Sequence, residues 1–341
     1  MIQVFILTFL VKIVKLINMS LIESFIKRAR ASSARIVLPE GNDLRILRAA
    51  SKIVSEEIAE VILLGDQNSL NALAESNDVS LAGCTVVNPS NSNRSETYAA
   101  LYADGARPVK AGMATRAVRK PLYYAAMMVR AGDADLMLAG ASNPTGRVIE
   151  AAQLCIGLAD DIKTISSFFI MIPQGRSPMI FADCAVNVDP SAEQLADIAI
   201  ASAGSAAKLL DDEPRVAMLS FSTHGTSKHE HATKVVRAVE LVRERAPQML
   251  IDGELQADSA LVSTIAKIKV GADSSVAGQA NVLIFPNLDA GNIAYKLVQH
   301  LGRVDAIGPI LQGFAHPVSD LSRGASVDDI VATAAISLGM R

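Results

Sequence analysis

From residue 35 onward, short apolar runs alternate with stretches of helical spacing. "RIVLP" (35–39) predicts a buried strand, and "LRILRAASKIVSEEI" (44–58) predicts a helix. "EVILLG" (60–65) is the next strand. The pattern returns at "ADLMLAG" (134–140), "RVAMLSFS" (215–222) and "ANVLIFP" (280–286), each followed by a helical stretch. Such alternation predicts an α/β fold with mostly parallel, doubly wound sheets and helices on both faces. "TISSFFIMIPQGRSPMIFADC" (164–184) interrupts it and predicts two strands around a turn, "FFIMIP" and "PMIFAD". In doubly wound sheets ligands sit beyond the carboxyl ends of strands, so residues just after each strand are the first places to look.

Composition narrows the classes. The 341 residues allow two domains or one large one, and the chain is half hydrophobic with 20% charged residues, as in buried sheets covered by helices. A net charge of -3 and 4% aromatic residues give no basic surface or stacking platform for nucleic acid. Cys84, Cys155 and Cys184 are odd in number and widely spaced, which argues against a disulfide framework or a zinc site and fits a reducing cytoplasm. The first eighteen residues, "MIQVFILTFLVKIVKLIN", are apolar but carry Lys12 and Lys15. Their longest uncharged run is short of the roughly 20 residues that span a bilayer. They are expected to be an N-terminal extension dispensable to the domain that opens at Met19. A basic amphipathic helix lying on a membrane surface is the alternative.

Four post-strand loops carry candidate chemistry. "GASNPTGR" (140–147) offers backbone N–H groups and the Ser142 and Thr145 hydroxyls to an anion, or is a plain turn. "STHGTSKHEH" (222–231) lacks P-loop spacing, and its three histidines have no second ligand cluster. In "NLDAGNIAYKLVQH" (287–300), Asn287 or Asp289 caps a helix that carries Lys296. The fourth loop, "DLSRGASVDD" (320–329), follows "AIGPILQGFAHPV", a strand and a glycine-bearing turn. Ser326 and Asp329 have capping-box spacing, which leaves Ser322, Arg323 and Gly324 unexplained. An arginine fork suits phosphate, and a carboxylate could orient the serine beside it.

Several segments together resemble the phosphate acetyltransferase (phosphotransacetylase) family. They include "RIVLPEGNDLRILRAA", "PLYYAAMMVRAGDADLMLAGAS", "FADCAVNVDPSAEQLADIA", "RVAMLSFSTHGTSK", "ANVLIFPNLDAGNIAYKLVQ" and "GPILQGFAHPVSDLSRGASVDDI", in order over nearly the whole chain after Met19. The resemblance implies reversible transfer of acetyl between coenzyme A and phosphate, and direct transfer in a ternary complex is expected. It also implies a two-lobed fold like that of isocitrate and isopropylmalate dehydrogenases. Residues 19–157 with 310–341 would form one domain and 158–309 the other, with the site in the cleft. A homodimer is implied. Coenzyme A or acetyl-CoA enters as substrate, with no bound cofactor and no metal.

Residue by residue, the family's Ser-Arg pair falls on Ser322 and Arg323, its aspartate on Asp329, a coenzyme A-linked arginine on Arg45 and a lysine on Lys296. Arg107 is the nearest match for a further arginine, and Thr145 completes the substrate-binding set. The chain departs from the family at Ala325, where a cysteine is common, and at Glu150 and His300, where arginines are. A longer acyl group such as butyryl and a weakly active regulatory homologue are the alternatives. A dinucleotide oxidoreductase ranks last, because "PEGNDLR" after the first strand has no GxGxxG spacing.

Overall fold

The structure, a computed structural model, describes residues 22–105, 108–160, 162–271 and 273–340. The apolar segment 1–18 and Arg107 lie outside the described residues. The chain forms two compact units, one of Ile17–Asp161 with Gly308–Arg341 and one of Ile162–Ile307.

The first unit opens with helix α1 over 22–32 and runs β1 (Arg35–Leu38), α2 (Leu44–Ser55), β2 (Glu60–Leu64), α3 (Gln67–Glu75) and β3 (Cys84–Val87). Three helices, α4 (Ser95–Ala103), α5 (Ala111–Val118) and α6 (Pro121–Arg130), precede β4 (Leu136–Ala139) and α7 (Thr145–Cys155). The second unit holds β5 (Ser166–Ile172), β6 (Met179–Ala182), α8 (Ala192–Leu209), β7 (Val216–Leu219), α9 (Glu230–Arg245) and β8 (Ile251–Leu255). It continues with α10 (Ala257–Leu261), α11 (Ser263–Lys269), β9 (Val282–Ile284) and α12 (Leu288–Gly302). After β10 (Asp305–Gln312) the chain closes the first unit with β11 (Val318–Asp320) and α13 (Val327–Gly339).

The α/β, mostly parallel architecture expected from the alternation is what forms. In the first unit the strand order is β3-β2-β1-β4-β11-β10, parallel except for the β10–β11 pair. In the second it is β5-β6-β9-β7-β8, parallel except for the β5–β6 hairpin, where Phe168 faces Ala182. The central strands β1 and β4 are all but fully buried, which is why "RIVL" and "LMLA" read as continuous apolar runs rather than alternating ones. Leu38, Leu138, Ile46, Leu47 and Ile330 join one apolar core between this sheet, α2 and α13. Leu321 and Ala325 belong to the same core, so the loop between β11 and α13 is anchored at both ends and exposes Ser322, Arg323 and Gly324 between them.

Candidate active site

The β11–α13 loop begins directly after a buried carboxyl, Asp320, the last residue of β11. The Ala325 amide donates to the Ser322 carbonyl at 2.9 Å, closing a tight turn, and the Gly324 amide donates to Ser322 Oγ at 3.3 Å. Asp329 completes the capping box of α13. One of its carboxylate oxygens accepts from both the amide and the hydroxyl of Ser326, each at 2.8 Å, and its own amide donates to Ser326 Oγ at 3.2 Å. Ser322 is not among the hydrogen-bonding partners of that carboxylate. The Arg323 side chain points into solvent and makes no ion pair among the described residues. An uncommitted guanidinium beside a serine hydroxyl is well suited to receive an anion.

Arg45 is placed quite differently. It sits in the first turn of α2, behind the N-cap Asp43. Its guanidinium takes Asp43 through Nε at 3.1 Å and Nη2 at 2.7 Å, and reaches the carbonyls of Ala141 at 2.8 Å, Arg323 at 2.7 Å and Ala325 at 3.1 Å. The bond with Arg45 holds the Asp43 carboxyl below its usual range.

The loop "GASN" after β4 does bind an anion, and the anion is the chain's own Glu40. One oxygen of Glu40 accepts the amides of Gly140 and Ala141, both at 2.8 Å. The other accepts the amides of Ser142 at 2.9 Å and Asn143 at 2.7 Å, together with both of their side chains. Gly140 adopts φ +114°, and a Cβ there would meet the Leu321 amide and carbonyl at 2.6 Å, so only glycine fits where the two loops cross. The same economy governs the other post-strand loops. Glu254 accepts from Ser222 and the Gly225 amide inside "STHGTSK", and Asp183 collects the amides of Ala185, Val186 and Asn187. His224 bonds Asp252 and His229 caps α9. No cluster that could hold a metal ion forms among the described residues.

Thr145 starts α7 and donates its hydroxyl to Asp320. Lys296 lies in the other unit, on α12, exposed, with its ammonium on the Tyr295 hydroxyl at 2.7 Å. Asn287, rather than Asp289, caps that helix by accepting from the Ala290 amide. Ser322, Arg323, Asp329, Arg45 and Thr145 thus all lie in the first unit, together with three carboxylates that the sequence reading passed over: Asp43, which bonds Arg45, Asp320, which bonds Thr145, and Glu40, which holds the "GASN" loop. A cavity of about 680 Å³ lies beside the Glu40 cradle, with Lys120, Tyr123, Arg147 and Glu150 on its wall. Lys120 and Arg147 put two cations on the same wall as the Glu150 carboxylate.

The profile of the phosphate acetyl/butaryl transferase family matches residues 20–338. A phosphate acetyltransferase from Acetivibrio thermocellus is 45% identical over 326 residues, covering 94% of this chain and 97% of its own. A phosphotransacetylase structure from Streptococcus pyogenes superposes with a TM-score of 0.87 at 38% identity, over 94% of this chain and 97% of that one. A Salmonella typhimurium chain assigned as a 4-hydroxythreonine-4-phosphate dehydrogenase shares the fold alone, at TM-score 0.53 and 13% identity over 91% of this chain and 99% of that one.

Proposed function

Because the chain belongs to the phosphate acetyl/butaryl transferase family, we propose that its Ser322–Arg323 turn is where acetyl passes between coenzyme A and phosphate. The chain is an acyltransferase, and the reaction is acetyl-CoA plus phosphate giving acetyl phosphate plus coenzyme A, in either direction. Coenzyme A is a substrate, not a resident cofactor.

The observation that carries the placement is the uncommitted Arg323 guanidinium, presented beside Ser322 on a turn whose backbone is fixed on both sides. In the direction of thioester synthesis, Ser322 Oγ takes the proton of the coenzyme A thiol as its own hydroxyl proton passes to the Asp329 carboxylate, which gives it up to the departing phosphate. A free thiol loses that proton near pH 8.5, so modest polarisation is enough. The thiolate attacks the acetyl carbonyl, the C–O bond to phosphate breaks, and phosphate leaves in the grip of Arg323. The same guanidinium offsets charge on the tetrahedral oxyanion. Asp329, at the start of α13, is the carboxylate that orients Ser322 once substrates are bound. Binding both substrates together supplies the entropic part of the acceleration.

The 680 Å³ cavity gives room for part of the coenzyme A, with Lys120 and Arg147 as cations for its phosphates. Thr145 and Lys296 stand further from this picture, since each is committed to a neighbour, Asp320 and Tyr295. A cytoplasmic homodimer goes with this reading. No helix among the described residues is long and apolar enough to cross a membrane.

Thioester formation from acetyl phosphate and coenzyme A, followed on the purified chain, tests the assignment. Butyryl phosphate run in parallel tests the acyl group. A higher kcat/KM for butyryl than for acetyl would move the substrate to the longer acyl group, and no thioester from either would sink the reaction.

A further inference from the structure

We propose that the segment running from the β1–α2 loop into the first turn of α2, through Glu40 and Arg45, is a truss that sets the position of the Ser322–Arg323 turn, so that Arg45 is a positioning residue and not a ligand of coenzyme A. This rests on the reaction assigned above. A guanidinium has five N–H donors. In Arg45 all of them are spent: two on Asp43, one on the Ala141 carbonyl, one on the Arg323 carbonyl and one on the Ala325 carbonyl. A phosphate of coenzyme A would have to break one of these bonds and approach within reach of the Asp43 carboxylate, which repels it.

The acceptors are informative too. The carbonyls of Arg323 and Ala325 lie outside α13, where no helical amide reaches them, and Arg45 is their partner. The Ala141 carbonyl belongs to the turn that Glu40 holds from its amide side. Glu40 and Arg45 therefore grip the β4–α7 loop and the β11–α13 loop from one short segment, "EGNDLR". An arginine in the first turn of a helix runs against the helix dipole, and the Asp43 cap is what offsets it. Such a placement makes sense if the fork is needed for its directions more than for its charge. Lysine, a point charge with three donors, cannot span the same set of acceptors.

Arg45→Ala and Arg45→Lys, measured by steady-state kinetics and by hydrogen exchange on the full chain, test the truss. A turn displaced by about 1 Å costs on the order of 100-fold in kcat, while KM for coenzyme A stays within about threefold. Arg45→Lys should rescue little. Amide exchange over 322–326 should speed up about tenfold or more, with α9 in the other unit unchanged. If Arg45→Ala does not fold, Asp43→Asn loosens the same guanidinium with the fork intact, and exchange over 322–326 should rise there as well. A KM for coenzyme A raised tenfold with kcat kept, or exchange over 322–326 unchanged in these variants, would overturn the truss. If the wild-type chain makes no thioester, the reaction assignment falls, and the exchange measurements alone decide the truss.

Discussion

Thr145 donates its hydroxyl to Asp320 at 2.5 Å, tying the first residue of α7 to the last of β11. The other oxygen of Asp320 is buried with no hydrogen-bond partner, close against Gly140. Burial pushes the Asp320 carboxyl up to about 7 from an ordinary 3.8, against the pull of the Thr145 bond. The folded chain therefore keeps a proton that the unfolded chain releases. As pH climbs from about 4 to 7 the unfolded state binds fewer protons than the folded one, and stability falls, by up to about 1.4 kcal/mol per unit. Asp320→Asn removes this slope. Its unfolding midpoint should gain on wild type between pH 5 and pH 8, read by thermal or urea denaturation. Parallel midpoints over that range would show that Asp320 is ionised throughout.

Arg323 differs from Arg45 in having every side-chain donor to offer. Arg323→Ala should reduce kcat/KM for acetyl phosphate about a thousandfold, in the range seen when a charge-stabilising donor is removed from a reacting centre. Arg323→Lys should recover little, since a planar fork is not replaced by a point charge. Because the side chain is exposed, neither change should move the unfolding midpoint. A lysine variant working near the wild-type rate would remove the phosphate grip from Arg323.

The sheet was legible because β1, β2, β4, β7 and β9 are buried, and burial writes itself as uninterrupted apolar residues. β8 was not picked out, because "IDGEL" places Asp252 and Glu254 inside a buried strand, where they satisfy the turn holding His224 and Gly225. For the candidate site, the rule of looking just past each strand points to Ser322 and Arg323 and should also have flagged Glu40, while Asp320 closes β11 itself. The rule could not reveal that the anion of the "GASN" loop is Glu40, about a hundred residues away. Spacing says where donors gather; only the fold says which acceptor reaches them. The role of Arg45 is hidden for the same reason, since the carbonyls it holds lie at 141, 323 and 325.

Asp329 separates capping from catalysis. One oxygen of its carboxylate already serves Ser326, and asparagine can keep an acceptor there. As a cap alone, Asp329→Asn should cost about 1 kcal/mol of stability and little rate. As the carboxylate that orients Ser322, it should lose about 100-fold or more in kcat with the fold intact. The second outcome is expected, and the Ser322→Ala, Asp329→Asn double variant should be little worse than either single one. A fully active but thermally weakened Asp329→Asn chain would leave Asp329 as a cap.

Acetyl should pass directly between substrates, with no acyl-enzyme. The turn itself contains no thiol, because Ala325 stands where the family often has cysteine, and its methyl group is packed into the core. The three cysteines elsewhere are poor nucleophiles for a physical reason. A thiol attacks as thiolate, and burial raises Cys84 to about 11, Cys155 to about 12 and Cys184 well above the usual range. Cys155 and Cys184 are buried, so neither could present its sulfur to a substrate without opening the fold. Ser322 remains, and in the proposed reaction, with phosphate at Arg323, its hydroxyl serves more directly as the thiol's base than as an acyl acceptor. Initial rates with coenzyme A and acetyl phosphate both varied should give intersecting double-reciprocal lines. Cysteine-to-alanine changes at all three positions should leave kcat within about threefold, with only the cavity cost at the buried pair showing in stability. Parallel lines, together with an acetylated residue trapped from acetyl-CoA alone, would establish a covalent route and identify its nucleophile.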